Sequence, residues 1–222
     1  PLITLSQQTY VPDDNFEQAL INLGYDIGPL DDYVATSIID TVTYLYVGWN
    51  FPGITDLTGI EDFTALEELH CLDNQITTLD LSSNSSLTYL NCDNNQMSNL
   101  DVSQNTSLTY LSADGNNLIN LDVSQNSLLL ILNIESSDLT TLDLSNNNIL
   151  IELDCENNDL TNLDLSNNTN LIQVDCNNNQ LTSLDLSQNS ALIYLDCAYN
   201  QITNLNVSNN IDLIEVHCEN NQ

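Results

Sequence analysis

A period of 21 residues runs through this sequence from Leu66 to its last residue, without insertion or deletion. One apolar position recurs in every period, a second inward position follows two residues later, and a position held mainly by asparagine comes three residues after that. So strict a repeat predicts a solenoid, in which each unit buries its apolar residues only against its neighbours. The first apolar position is occupied by Leu69, Leu90, Leu111, Leu132, Leu153, Val174, Leu195 and Val216.

Each period contains the same short pattern twice. Residues 66–74 read L-x-x-L-x-C-x-x-N, and residues 76–84 read I-x-x-L-x-L-x-x-N. The alternation is typical of a short strand, and the asparagine can hydrogen-bond nearby backbone in a turn. We therefore predict a β-rich solenoid with two short parallel strands per coil, and residues 66–222 supply about seven and a half coils.

The repeat L-x-x-L-x-C-x-x-N-x-L-x-x-L-D-L-S-x-N resembles the 21-residue class of bacterial leucine-rich repeats. The preceding residues 8–20, QTYVPDDNFEQAL, resemble the N-terminal cap of secreted leucine-rich-repeat proteins from Bacteroidetes-type bacteria. Such proteins are typically exported and attached to the cell surface. The resemblance therefore implies an extracellular or cell-surface location and a role in binding.

The residues before the regular repeat are expected to close its first end. Pro12 with Asp13 or Asp14 can start a helix and Gly24 can end it, while Phe16, Ala19, Leu20 and Leu23 form an apolar stripe between them. We predict a cap over residues 9–41 with a helix at about 14–23, then an irregular first coil over residues 42–65. Residues 1–8 fit either the end of a signal peptide, cut near Gln7, or an ordered first strand.

Charge restricts the partners of this chain. It has 32 Asp and Glu residues and no Lys or Arg, so its formal net charge is −32. A chain without Lys or Arg cannot neutralise phosphates, which excludes nucleic acids and anionic membranes as direct partners. Metal cations, cationic proteins and neutral glycans remain open. The longest uninterrupted apolar run, 128–132, is too short to cross a membrane.

The six cysteines share one inward position of the repeat. Neighbouring strands would place their Cα atoms about 4.8 Å apart, but parallel side chains keep the Cβ atoms too far apart for relaxed disulfides. Ala113 and Ile134 occupy the same column, and neither could bridge or bind metal. We predict a buried, reduced column that packs as small apolar side chains.

The sequence does not favour catalysis. His70 and His217 occupy equivalent positions seven coils apart, roughly 34 Å at the usual strand spacing. The repeated serines are better explained as turn formers than as nucleophiles. We therefore expect a protein that is not an enzyme and that requires no cofactor.

A column of aspartates is the strongest chemical signal in the repeat. Carboxylates about 5 Å apart repel one another, so such a column invites cations, raised pKa values or hydrogen bonds from flanking Thr and Asn. A solvated polar ladder and a calcium-binding ladder are the two interpretations. The column comprises Asp80, Asp101, Asp122, Asp143, Asp164 and Asp185.

The outward positions of the cysteine-bearing strands are more varied. Aromatic and mixed polar side chains on a rigid sheet suit recognition of a protein or a glycan, although tyrosine also simply favours strands. The candidate binding residues are Tyr89, Tyr110, Tyr194, Glu152, Gln173 and Glu215.

Some residues match modification motifs. Thr41 lies in an Asp-Thr-aliphatic sequence that resembles O-glycosylation targets in Bacteroidetes-type secreted proteins. N-x-Ser/Thr sequences begin at Asn84, Asn105, Asn167 and Asn206.

Two functions of different classes remain open. The first is a secreted or cell-surface adhesion module that presents its sheet to a protein or glycan. The second is a structural subunit that stacks head to tail with copies of itself through the solenoid ends. Because the repeat keeps its register to the last residue, we expect an open C-terminal end that is covered by further chain or by another copy.

Overall fold

The computed structural model describes residues 7–222 and shows a solenoid whose coils are stacked in chain order. Each coil contributes one strand to a nine-stranded, entirely parallel sheet in which consecutive strands pair in register. The predicted leucine-rich-repeat solenoid is thus confirmed. The strands are β3 Tyr44–Tyr46, β4 Glu68–His70, β5 Tyr89–Asn91, β6 Tyr110–Ser112, β7 Ile131–Asn133, β8 Glu152–Asp154, β9 Gln173–Asp175, β10 Tyr194–Asp196 and β11 Glu215–His217.

The N-terminal elements form a cap on the first coil. Strands β1, Gln8–Tyr10, and β2, Tyr33–Ala35, pair antiparallel around helix α1, Asp14–Leu23. The short helix α2, Thr36–Ile39, and the 3₁₀ helix Ile60–Asp62 complete the region. Within residues 7–222 no helix is both long enough and apolar enough to span a membrane. The part of the proposed signal peptide at residues 1–6 lies outside the described residues.

Helix α1 covers the range that the apolar stripe indicated, and its ends explain why. At the start, Asp13 Oδ1 accepts the N–H groups of Asn15 and Phe16 at 2.9 and 3.0 Å. Gly24 ends the helix with a left-handed backbone, φ 82°, which costs glycine little. Phe16 is fully buried, and its ring lies 6.4 Å from that of Phe63. The helix therefore closes the apolar end of the first coil.

The predicted second strand of each coil does not form. On that side the only pairings within residues 7–222 are two isolated bridges, Asp80 with Asp101 and Leu184 with Leu205. Each repeated aspartate instead accepts the N–H of the serine two residues later, and the chain turns there. These local bonds compete with a strand ladder. We call this half of the coil the turn side and the other half the sheet side.

Two asparagine ladders link neighbouring coils. In the sheet-side ladder the amide oxygen usually accepts an N–H from the preceding coil, as Asn95 Oδ1 does from Ile76 at 3.0 Å, and Nδ2 donates to carbonyls. In the turn-side ladder Nδ2 donates to two carbonyls, but the buried Oδ1 has no partner within residues 7–222. The sheet-side ladder is Asn74, Asn95, Asn116, Asn158, Asn179, Asn200 and Asn221, and the turn-side ladder is Asn84, Asn105, Asn126, Asn147, Asn168, Asn189 and Asn210.

The cysteines form one column behind the sheet. All six are free thiols, five are buried, and Cys218 in the last coil is exposed. Burial raises the pKa of the Cys71 and Cys197 thiols to about 12, so they are protonated and unreactive at neutral pH. Ala113 and Ile134 are also fully buried in this column. The column therefore packs as part of the apolar core.

Candidate functional site

The outer face of the nine-stranded sheet carries the candidate binding residues. Side chains alternate along a strand, so the first and third residues of each strand point away from the core. The six candidate residues are the first residues of β5, β6, β8, β9, β10 and β11 and lie on this face. The structure does not gather all their tyrosines, because Tyr194 on β10 lies four strands from Tyr110 on β6, about 19 Å at the usual strand spacing.

Five rings form a continuous group at the N-terminal end of this face. The Tyr89 and Tyr110 rings stack with centroids 4.1 Å apart and an interplanar angle of 2°. His70 lies 4.7 Å from Tyr89, 5.3 Å from Tyr44 and 5.7 Å from Tyr46. We call these five residues the aromatic run. The motif Tyr-x-Tyr at residues 44–46, in register with the strands, is the signal that could have added Tyr44 and Tyr46 to the candidate site.

Burial affects the polar atoms of the aromatic run. It lowers the pKa of His70 although Glu68 lies 3.8 Å away, which favours a neutral ring at pH 7. It also raises the pKa of Tyr89. His70 Nε2 and Tyr46 Oη are buried atoms without a hydrogen-bond partner in residues 7–222. The aromatic run therefore combines apolar ring area with two polar atoms that can still make hydrogen bonds.

The two histidines lie far apart. His70 is on β4 and His217 is on β11, at opposite ends of the sheet. His217 hydrogen-bonds Glu215 on its own strand at 2.8 Å, which raises the pKa of His217. As the spacing predicted, the histidines do not share a site.

A group of carboxylates follows the aromatic run along the same face, and the sequence reasoning did not single it out as a site. Glu135, Asp154 and Glu156 each place a carboxylate oxygen within 4.8 Å of the others. This spacing is short enough for the three to approach one cation. We call the whole group the sheet cluster: Asp93, Asp114, Glu135, Asp154, Glu156 and Asp175.

Burial and mutual repulsion control protonation in the sheet cluster. Desolvation, reinforced by Asp93, raises the pKa of Asp114 to about 7. Desolvation also raises the pKa of Asp154 and Asp175 to about 6. Asp93 is held by the Ser112 hydroxyl at 2.7 Å and by the N–H of Asp114 at 2.9 Å. The cluster can therefore attract cationic groups and take up protons near neutral pH.

The aspartate column on the turn side, which we call the turn column, behaves differently from the expectation. Each of the six carboxylates accepts the N–H of the serine two residues later at 2.9–3.0 Å. Hydrogen bonds from those serines lower all six pKa values. Of the alternatives raised by the sequence, raised pKa values do not occur, because hydrogen bonds outweigh repulsion between exposed charges; the donors are serines and not the expected Thr and Asn. No three of these carboxylates approach within 4.8 Å in the described chain, and calcium binding stays a prediction.

Within the described part of the chain, residues 7–222, the other carboxylate group that meets this spacing lies in the cap. It comprises Asp14, Glu17 and Asp32. Glu17 is fully buried and already accepts the N–H groups of Asp31 and Asp32 at 2.8 and 3.1 Å. Its carboxylate is therefore explained by the folding of the cap.

Two of the predicted glycosylation sites are buried, which argues against modification there. Asn84 and Asn105 are fully buried, and the Nδ2 group of each donates to two backbone carbonyls. A glycan on these nitrogens would break the turn-side ladder. Thr41, Asn167 and Asn206 are exposed, and modification at these three residues stays a prediction.

Comparison with known proteins identifies similar structures. No protein-family model matches the chain, and no curated protein sequence matches it significantly. The functional domain of InlJ from Listeria monocytogenes, described as including a cysteine ladder, is 39% identical over 99% of this chain, with a TM-score of 0.79. The chain spans about half, 54%, of that InlJ chain.

Two further structures share the fold. An internalin, inlF, from Listeria monocytogenes is 25% identical, with a TM-score of 0.90 over 100% of this chain and 67% of that one. The plant peptide hormone receptor RGFR1, solved in complex with RGF2, is 25% identical, with a TM-score of 0.67 over 77% of this chain and 31% of that one. The chain is thus similar in structure to bacterial internalin-type leucine-rich-repeat proteins. The likeness to Bacteroidetes-type proteins stays a prediction.

Proposed function

We propose that this chain is an extracellular, non-catalytic module that binds a protein through the outer face of its sheet, with the aromatic run at the centre of the contact. The observation that carries this proposal is the continuous packing of five rings around two buried polar atoms that have no hydrogen-bond partner within residues 7–222. Such groups are costly unless a hydrogen bond satisfies them. A bound partner could supply those bonds.

The physical character of the aromatic run suits protein recognition. Tyrosine is enriched at the centres of protein interfaces because it adds large contact area with few rotatable bonds. Here the parallel Tyr89 and Tyr110 rings are held by paired strands β5 and β6. The contact surface is therefore ordered before binding, which reduces the entropy lost on association.

Charge complements this surface. The sheet cluster continues the same face beyond the rings, and the chain has no Lys or Arg to offset it. A partner could pack neutral side chains on the aromatic run and place basic side chains against the sheet cluster. The peptide hormone receptor RGFR1, whose structure is similar, was solved in complex with RGF2, which supports binding as the role of the fold. The extracellular location is supported by the resemblance of the repeat and the cap to exported proteins.

Paired substitutions test the proposal. Ligands of the native chain would first be identified on an extracellular protein array and a glycan array. The double variant Tyr89→Ser, Tyr110→Ser should then bind the protein ligand at least about tenfold more weakly in biolayer interferometry, as expected for central aromatic residues.

A second tyrosine pair provides the matched control. Tyr10 and Tyr33 on the cap are exposed and have centroids 5.5 Å apart, so Tyr10→Ser, Tyr33→Ser removes similar ring area from another surface. This variant should bind as the native chain does. Equal affinity of native and Tyr89/Tyr110 variant proteins, or ligands found only on the glycan array, would contradict the proposal.

A further inference from the structure

A stripe of isoleucines runs across the sheet where its strands begin, in coils that follow the aromatic run. Ile151, Ile172 and Ile193 each immediately precede a strand and are 37%, 40% and 38% exposed. Leu128 and Ile149 add exposed aliphatic area beside it in the two preceding turns. We call Ile151, Ile172 and Ile193 the isoleucine stripe. Contiguous exposed apolar groups of this kind mark interaction surfaces more often than isolated ones do.

Backbone hydrogen bonds fix the stripe in register. The N–H of Ile172 donates to the carbonyl of Ile151 at 2.8 Å, and the N–H of Ile193 donates to Ile172 at 2.8 Å. Residues bonded in this way lie about 4.8 Å apart in neighbouring coils. Their side chains are β-branched and therefore restricted in rotation. The isoleucine stripe is therefore a rigid apolar surface.

The earlier coils show that the fold does not require isoleucine at this position. There the equivalent residues are Glu67, Thr88 and Thr109. The Thr88 hydroxyl donates to the Glu67 carbonyl, and the Thr109 hydroxyl donates to the Thr88 carbonyl, both at 3.1 Å. A polar residue can thus hold the same backbone ladder, so the exposed isoleucines call for an explanation other than stability.

Negative charge flanks the stripe. Glu152 follows Ile151 directly in the chain, and Asp154 and Asp175 end strands β8 and β9, three residues after Ile151 and Ile172. The chain contains no Lys or Arg, so no side chain of these two types offsets the carboxylates. A second copy would bring the same net charge of −32 to this stripe, and an anionic lipid surface would also be repelled. Both occupants are disfavoured.

We propose that the isoleucine stripe, together with Glu152 and two carboxylates of the sheet cluster, Asp154 and Asp175, forms a second interaction surface, separate from the aromatic run. Its occupant is a protein segment that presents aliphatic side chains beside Lys or Arg. The aliphatic groups cover the stripe, while the cationic groups reach the carboxylates. Apolar contact gives affinity, and the charges set orientation and partner choice.

Designed peptides that carry the proposed chemistry test this surface directly. The probe is an 18-residue helical peptide with Leu on one face and Lys on the other. A second peptide replaces every Leu by Ser at the same charge, and a third replaces every Lys by Glu. The native chain should bind the Leu/Lys peptide more tightly than either of the others, measured by fluorescence anisotropy at physiological salt.

Substitution of the stripe is the decisive comparison. The variant Ile151→Ser, Ile172→Ser, Ile193→Ser should lose at least about tenfold in affinity for the Leu/Lys peptide and little for the Ser/Lys peptide. The control Thr140→Ser, Thr161→Ser, Thr182→Ser changes three exposed turn-side residues and should leave both affinities unchanged. Circular dichroism would show that each variant is folded.

Three results would overturn the proposal. The first is an isoleucine variant that keeps the native preference for the Leu/Lys peptide. The second is loss of that preference in the Tyr89→Ser, Tyr110→Ser variant, which would assign the peptide to the aromatic run. The third is sedimentation of the native chain as a dimer that the isoleucine variant abolishes, because the stripe would then belong to a second copy.

Discussion

The two sides of each coil carry carboxylates that repeat every 21 residues, but their pKa values shift in opposite directions on the two sides. On the turn side an exposed aspartate such as Asp122 receives hydrogen bonds from Ser124, which lower its pKa. On the sheet side burial raises the pKa of Asp114 to about 7. Asp114 also accepts a backbone N–H, from Glu135 at 2.8 Å, so each of these two carboxylates has a backbone donor. The difference in burial therefore decides the direction of the shift, because the hydrogen bond does not offset the desolvation of the Asp114 carboxylate.

The asparagine ladders of the two sides differ in how many hydrogen bonds their amides make. Asn179 on the sheet side accepts one N–H and donates to three carbonyls. Asn168 on the turn side donates to two carbonyls, and its buried oxygen is unpaired within residues 7–222. The sheet side thus uses its buried amides more completely, and substitutions on the two sides should differ in their cost.

The largest effect is expected from removing a sheet-side amide. Asn179→Ala leaves the N–H of Leu160 and the carbonyls of Cys155 and Cys176 without this partner, so the free energy of unfolding should fall by about 3 kcal/mol. Asn168→Ala on the turn side should cost about 2 kcal/mol, because fewer bonds are lost. Urea unfolding followed by circular dichroism measures both. A larger loss for Asn168→Ala would reverse the comparison.

Removing a raised-pKa carboxyl should instead stabilise the protein. Asp114 titrates at about 7 when folded, against 3.8 for its ordinary value. Its contribution is fully present below pH 3.8 and is lost as the pH rises through 7. Asp114→Asn keeps an acceptor for the Glu135 N–H, at 2.8 Å in the native chain, and should add about 1–2 kcal/mol at pH 8 after allowance for solvent screening.

The pH dependence separates this effect from a general one. Asp93, Glu135 and Asp154 face Asp114 and remain in the variant. The stabilisation should therefore disappear near pH 3, where Asp114 is neutral in both states. Asp122→Asn on the turn side should show no gain at pH 8. A stability gain from Asp114→Asn that is constant from pH 3 to pH 8 would contradict the assignment.

Repairing the interrupted sheet-side ladder should give a smaller gain. Ser137 occupies an asparagine position, is 8% exposed, and its hydroxyl has no partner within residues 7–222. Ser137→Asn should reach the N–H of Leu118 and the carbonyl of Ala113 and add about 1 kcal/mol. Ser127→Asn, an exposed turn substitution, is the control. Thermal melts that rank Ser127→Asn above Ser137→Asn would show that the gap is harmless.

Calcium should have the smallest effect. Each turn-column carboxylate already has one hydrogen-bonded oxygen, so we expect millimolar calcium to raise Tm over a chelator by only on the order of 1–2 °C. Asp122→Asn, Asp143→Asn should reduce this rise. Equal Tm values in calcium and chelator would remove the calcium prediction for the turn column.

Features set by periodicity could be predicted from the sequence. The solenoid and the inward cysteine column follow because a 21-residue period and a two-residue alternation fix which side chains face the core. The absence of a second strand could not be read in this way. An Asp-x-Ser sequence is compatible with both a strand and a turn, and only the local N–H to carboxylate bonds decide between them.

The binding surface was harder to predict because it depends on contacts between coils. Tyr44 and Tyr46 precede the regular repeat, and Leu45 lies 24 positions before Leu69 where later coils have 21. The sheet cluster combines two positions of the repeat, since Asp154 ends a strand while Asp114 lies beyond one. Such groups become neighbours only when the coils are stacked. The 21-residue period does not predict how deeply each of them is buried.

The nearest-neighbour bonding of the coils has a consequence for how such a gene can change. Each inner strand of the nine-stranded sheet is hydrogen-bonded to the strands directly before and after it in the chain. Duplication or loss of 21 codons in the regular region therefore leaves every remaining coil with an equivalent neighbour. One such event between Tyr110 and Ile151 would move the aromatic run and the isoleucine stripe apart, or closer together, by about 4.8 Å. The number of repeats thus sets the distance between the two proposed contact surfaces. Unequal recombination can adjust that distance to a partner without altering either surface.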